Sequence, residues 1–188
     1  MKRRDGFTLV ELLITITIML ILLTLAVVSL RSSQANGRDE ERKVDAESIA
    51  RGLEQRYTLG NPRATSTEIK KGSYPGNNEV LHAMGFDRVG FTPTQIVGGY
   101  LPDLLPGTSE KSFTAPGKGM SLDLMCVWAC SPAETTSVIN SQTTIDKYIY
   151  EPVTAAGGIC YTTDCVKFNL YYRTEVDNVV HKITSKNQ

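Results

Sequence analysis

Few residues in this chain could do chemistry, and most of those are scattered. Four cysteines, Cys126, Cys130, Cys160 and Cys165, fall in the last third, with two histidines, His82 and His181, elsewhere. The acidic residues show no paired-carboxylate pattern of the kind general acid–base work uses. GKGMSL at 117–122 lacks the ending of a phosphate loop, and GSYPG at 72–76 is not a nucleophile elbow. No loop of alternating Asp and Asn ligands suits calcium. Each histidine reads as a surface or core residue. The chain is therefore expected to be no enzyme, with no catalytic residue, no metal and no cofactor.

One carboxylate is singular because of where it sits. Glu11 is the only ionisable residue between residues 6 and 30, and residues 12–30 are free of charge. As a helix those 19 residues would span roughly 28 Å, about the thickness of a bilayer's hydrocarbon core. Lys2, Arg3 and Arg4, against Asp5, precede the run. Basic residues on the short side hold that end in the cytoplasm and send the remainder outward. The run is too long for a cleaved secretory signal and has only the weak pair Ser33 and Ala35 as a cleavage site. A plain anchor explains the length but not Glu11, since a carboxylate inside hydrocarbon costs a few kcal/mol unless paired.

After Leu30 the composition turns polar. Ala46, Ile49, Ala50, Leu53 and Tyr57 recur at helical steps and mark one apolar face, with charges such as Glu40, Glu41, Arg42, Lys43, Glu47, Arg51 and Glu54 on the rest. The simplest account is one helix over about 7–57, whose second half lies across a sheet and whose charges are solvated. Gly37 is the natural place for a bend. Gly60-Asn61-Pro62 ends the helix. A turn-rich connector follows, with a short helix over about 78–84 and another turn near 103–105. Strand patterns gather at 121–128, 145–153, 165–173 and 179–184. The fold class is α+β, a long N-terminal helix packed on a small C-terminal antiparallel sheet.

An even number of cysteines in an exported domain reads as two disulfides, although the cluster also allows zinc. Three pairings are open. Cys126 and Cys130 in one straight strand would stand about 13 Å apart, but Ser131-Pro132 can turn the chain. Cys160 and Cys165 flank a four-residue loop, Tyr161 to Asp164. The two local pairs are preferred. The formal net charge is zero, and no basic run follows the leader, so no nucleic-acid partner is expected.

The run Gly6-Phe7-Thr8-Leu9-Val10-Glu11, behind its short basic leader, resembles the class III signal of type IV pilins and pseudopilins. Residues 38–57 and Gly72-Ser73-Tyr74-Pro75 more loosely resemble the entry of the pilin helix into its head. The resemblance implies that a prepilin peptidase cuts between Gly6 and Phe7 and that Phe7 becomes N-methylated. It also implies that Glu11 neutralises the Phe7 amine of the next subunit during assembly. The implied parts are a leader (1–6), a transmembrane and assembly helix (7–30), its amphipathic half (31–58), a connecting region (59–120) and the cysteine-containing sheet (121–188). The implied partners are the peptidase, identical or related pilin subunits, an assembly platform with its ATPase, and the membrane. The implied role is a filament subunit, first a single-pass inner-membrane precursor and then part of an extracellular pilus or periplasmic pseudopilus. A minor pilin, a secretion pseudopilin and, more remotely, a tethered binding protein or enzyme are the alternatives. Many members carry a proline in the apolar helix; here none precedes Pro62, so residues 12–30 should form an unbroken helix.

Overall fold

A computed structural model describes residues 8–60, 69–77, 80, 103–117, 122–124, 135–161 and 164–187. Gly6, Phe7, His82, Cys126, Cys130, most of the expected 78–84 helix and the part of the expected first strand beyond residue 124 lie outside these. The chain is α+β, as its patterning predicts. Helix α1 (Leu9–Leu59) holds 51 residues, about 75 Å of helix. Thr8 caps its start and Gly60 its end. Gly60 has φ 67°, and a Cβ there would come within 2.9 Å of the Lys71 nitrogen, so only glycine closes this helix without strain. The helix passes through Gly37 without interruption, the single continuous helix that the sequence leads one to expect.

Four strands follow: β1 (Leu122–Leu124), β2 (Tyr148–Val153), β3 (Lys167–Arg173) and β4 (Val180–Thr184), in that order across one sheet. The pairs β2–β3 and β3–β4 are antiparallel, with Tyr150 opposite Leu170 and Leu170 opposite Ile183. Strand β1 instead runs parallel to β2, with Leu122 opposite Tyr148, which corrects the expectation of a wholly antiparallel sheet. A parallel neighbour needs a long crossover, commonly helical, and α2 (Thr135–Gln142) lies within it. Helix α2 is not among the elements expected from the sequence. Arg173, at the end of β3, donates to Asn140 O at 2.7 Å and Thr143 O at 2.6 Å, placing a cation on the last carbonyls of that helix.

The predicted apolar face of α1 is the one that packs. Ala46, Ile49, Ala50 and Leu53 are buried, with Tyr57 against them, facing Tyr148, Tyr150, Phe168 and Leu170 of the sheet. The connector closes this core: Ile69, Tyr74, Leu104, Leu105, Phe113 and Ala115 are buried in it. A short 3₁₀ helix, Glu110–Phe113, carries that phenylalanine. The sheet's other face holds a smaller cluster of Ile149 and Tyr171, with Ile139 of α2 against it.

Candidate assembly interface

Among the described residues none covers the first half of α1. Every described side chain from Leu9 to Leu30 is exposed, Leu9 at 82% and Leu20 at 59%. Among the described residues α1 is the one helix long and apolar enough to cross a membrane. Uncovered apolar surface on this scale marks a membrane or protein contact. The three threonine hydroxyls past Glu11 are satisfied locally: Thr15, Thr17 and Thr24 donate to the carbonyls of Leu12, Ile14 and Ile21 at 2.8–2.9 Å.

Glu11 stands at the third position of this helix. Thr8 N–H donates to Glu11 Oε2 at 2.9 Å and Thr8 Oγ1 to the same oxygen at 2.8 Å, while Glu11 N–H returns a bond to Thr8 Oγ1 at 3.3 Å. This reciprocal capping box satisfies donors that a helix start otherwise leaves open. It gives the carboxylate a fixed place within the chain and leaves Oε1 outside the box. Thr8 is a partner of Glu11 beyond the amine that the resemblance implies, and T-x-x-E at residues 8–11 is its readable cap signal.

The second half of α1 is held on all its inward sides. Arg38 grips Glu175, in the turn between β3 and β4, through two bonds of 2.9 and 2.7 Å. Asp39 accepts the backbone N–H groups of Glu175 at 2.7 Å and Val176 at 3.0 Å. Arg42 is only 3% exposed and reaches Asp39 at 2.7 Å and Ile145 O at 3.0 Å. Arg38 holds the Glu175 carboxyl below the usual range and is itself pushed up by it. Farther along, Tyr148 donates to Asp45 at 3.2 Å, and burial raises the Asp45 carboxyl. Lys111 pairs with Glu41 at 2.7 Å. Near the end of the helix, Glu54 accepts from Tyr74 OH at 2.9 Å and from Lys186 N–H at 2.7 Å, tying down the C-terminal residues. Arg56, 5% exposed, donates to Gly60 O at 3.0 Å and to the carbonyls of Asp103 and Leu104. The charge run read as a solvated face is therefore partly a set of clamps. Composition alone cannot separate these, because clamping depends on which carbonyls the connector brings near.

Cys160 and Cys165 are joined in a disulfide. Their backbones also serve as a ledge for the connector, since Cys165 O accepts from Tyr74 N–H at 2.8 Å and Cys160 O from Asn77 N–H at 3.1 Å. His181 stacks on Tyr172 with ring centroids 5.0 Å apart and meets Thr174 Oγ1 at 3.2 Å. That is a packing role.

An unburied apolar helical half, opened by a capped carboxylate, thus leads into a folded head. Residues 1–27 match the family model of the prokaryotic N-terminal methylation motif. That motif is the class III prepilin signal of type IV pilins and pseudopilins, a structural rather than an enzymatic signature. It supports a pilin-like or pseudopilin precursor. No curated protein and no solved structure matches the chain.

Proposed function

We propose that this chain is the structural subunit of a type IV pilus or related filament, cut by a prepilin peptidase after Gly6 and N-methylated on Phe7. The observation that carries the reading is the wholly uncovered apolar half of α1 with Glu11 alone near its start. Before assembly that half lies in the inner membrane, with the leader in the cytoplasm and the head outside. Cleavage leaves Phe7 as a cationic amine. In a bundle of parallel helices that amine of one copy meets Glu11 of the next, which removes the cost of each charge in a dry core. The apolar halves then bury one another. An assembly platform and its ATPase supply the work, and the product is an extracellular pilus or periplasmic pseudopilus. No catalysis, cofactor or nucleic acid enters this role.

Intact mass of the mature chain is expected to show loss of residues 1–6 and gain of one methyl on Phe7. Glu11→Ala is expected to cut incorporation into filaments at least tenfold (about 1.4 kcal/mol or more in assembly) while the head folds normally. An uncleaved leader in mature filaments, or normal filaments from Glu11→Ala, would sink the reading.

A further inference from the structure

Outside the apolar half of α1, the described residues expose five large hydrophobic side chains: Val44 at 56%, Leu59 at 59%, Tyr161 at 41%, Val176 at 55% and Val179 at 46%. Three of these form two patches on opposite sides of one short length of helix. Val176 and Val179 belong to the β3–β4 turn, which is bonded to α1 at Arg38, Asp39 and Arg42. Val44 lies two residues past Arg42, so it sits about 200° around the helix from the clamp, on the back of α1. Its neighbours on that back are Glu40, Glu47 and Arg51, all exposed. Two unlike patches on opposite sides suit a head-to-tail contact that repeats without closing, the geometry of a fibre.

We propose that the β3–β4 turn of one copy seats its Val176 and Val179 on the back of α1 of a neighbouring copy, around Val44. The proposal rests on the filament reading above and deepens it. Its support is a match of register. If the Phe7 amine of one copy stands level with Glu11 of the next, the two parallel helices are offset by four residues, about 6 Å. The turn is fixed at the level of Asp39 on its own helix. The same offset brings it level with residue 43 of the neighbour, within one residue of Val44.

Charge favours this register over its neighbours. The turn carries exposed Asp177 beside the valines, and the residue level with it in the neighbour is exposed Lys43. A slip of one helical turn in either direction would set Asp177 against Glu40 or Glu47 instead. Lys43 lies about 100° around the helix from Val44, so it meets Asp177 at the edge of the seat, while Glu40 and Glu47 flank Val44 one turn away on either side. The stagger is then set twice, at the helix start by Glu11 and some 50 Å away, along the same helix, by the turn.

The test is photo-crosslinking of the full-length chain in assembled filaments, with benzoyl-phenylalanine placed at position 176. The expected product joins position 176 to a peptide of a second copy that includes Val44, and the product is lost when Glu11→Ala is added. If the probe keeps the chain out of filaments, the reciprocal probe at position 44 should join a peptide spanning 174–180. Intact filaments whose adducts map to lipid, to another part of the neighbour, or nowhere from either position would overturn the contact and leave the filament reading standing. If the unmodified chain forms no filaments, both fall together.

Discussion

The two halves of α1 are one helix by hydrogen bonding and two different objects by environment. Residues 9–30 are uncovered and carry one charge; residues 38–60 pack into a core and are clamped by Arg38, Asp39, Arg42, Asp45, Glu54 and Arg56. The difference teaches where each half finds its stability. The second half belongs to a head that is complete within one chain. The first half has helical hydrogen bonds and a cap, but its apolar surface finds no partner among the described residues; on the proposed function lipid or other copies cover it. Substitutions in the head half should therefore register in unfolding of a single subunit, and substitutions in the apolar half in assembly.

The largest contrast comes from removing a core side chain. Leu53 is 1% exposed and lies between α1 and the sheet. Leu53→Ala should cost about 2–5 kcal/mol, from lost burial plus the cavity left behind. Thermal unfolding of the detergent-solubilised chain, followed by circular dichroism, measures it. An unchanged midpoint would mean that the head is not built around this helix face.

Two glycines test the same division with one substitution. Gly52 lies inside the clamped half, where an added Cβ would overlap Thr108 Oγ1 and press on Leu105 Cβ at 3.1 Å. Gly37 lies below the clamp, and a Cβ there meets nothing within 4 Å. Gly52→Ala should destabilise the head by about 1–3 kcal/mol through overpacking. Gly37→Ala should instead favour the helix by up to about 1 kcal/mol, because glycine is the poorer helix former. Unfolding midpoints of the two variants should move in opposite directions, or Gly37→Ala should move it little. Equal destabilisation would mean that the packed length of α1 extends past Arg38 to Gly37.

The contrast also explains what could be read from the sequence. The apolar run, Glu11 and the Ala46–Ile49–Ala50–Leu53 face were legible because helical periodicity and the absence of charge are local properties. Strands β2, β3 and β4 were legible within three residues at their starts, β3 from its alternation, β2 from its β-branched and aromatic residues and β4 as the return of a hairpin, all local properties. The parallel placing of β1 was not, since it is set by a crossover whose helix, TTSVINSQ, is made mostly of weak helix formers. The clamps were hidden for the same reason. Arg56 reads as one more surface charge until the connector brings the carbonyls of Asp103 and Leu104 beside it. Gly52, too, looks like a defect in a helix until Thr108 is seen lying against it.

The smallest expected effect is on the Arg38–Glu175 clamp, where the two halves meet. Glu175 is 31% exposed in its side chain, so solvent weakens the pair. Hydrogen bonds from Arg38 lower its carboxyl below the ordinary 4.5. A carboxyl lowered in the folded state stabilises above the unfolded value, and that stabilisation fades as pH falls through the folded one. Asp45 runs the other way. Burial raises it above 3.8, so its charged form costs stability as pH climbs past that value, and acid relieves the cost. Acidification from pH 7 to below 4.5 should thus loosen the turn at Glu175 while easing the strain at Asp45. Glu175→Gln should lower the midpoint modestly at pH 7 and flatten its fall toward acid; Asp45→Asn should raise the midpoint at pH 7. If Glu175→Gln leaves the pH profile unchanged, the turn is not held to α1 by this pair. The backbone bonds to Asp39 would then carry the junction alone.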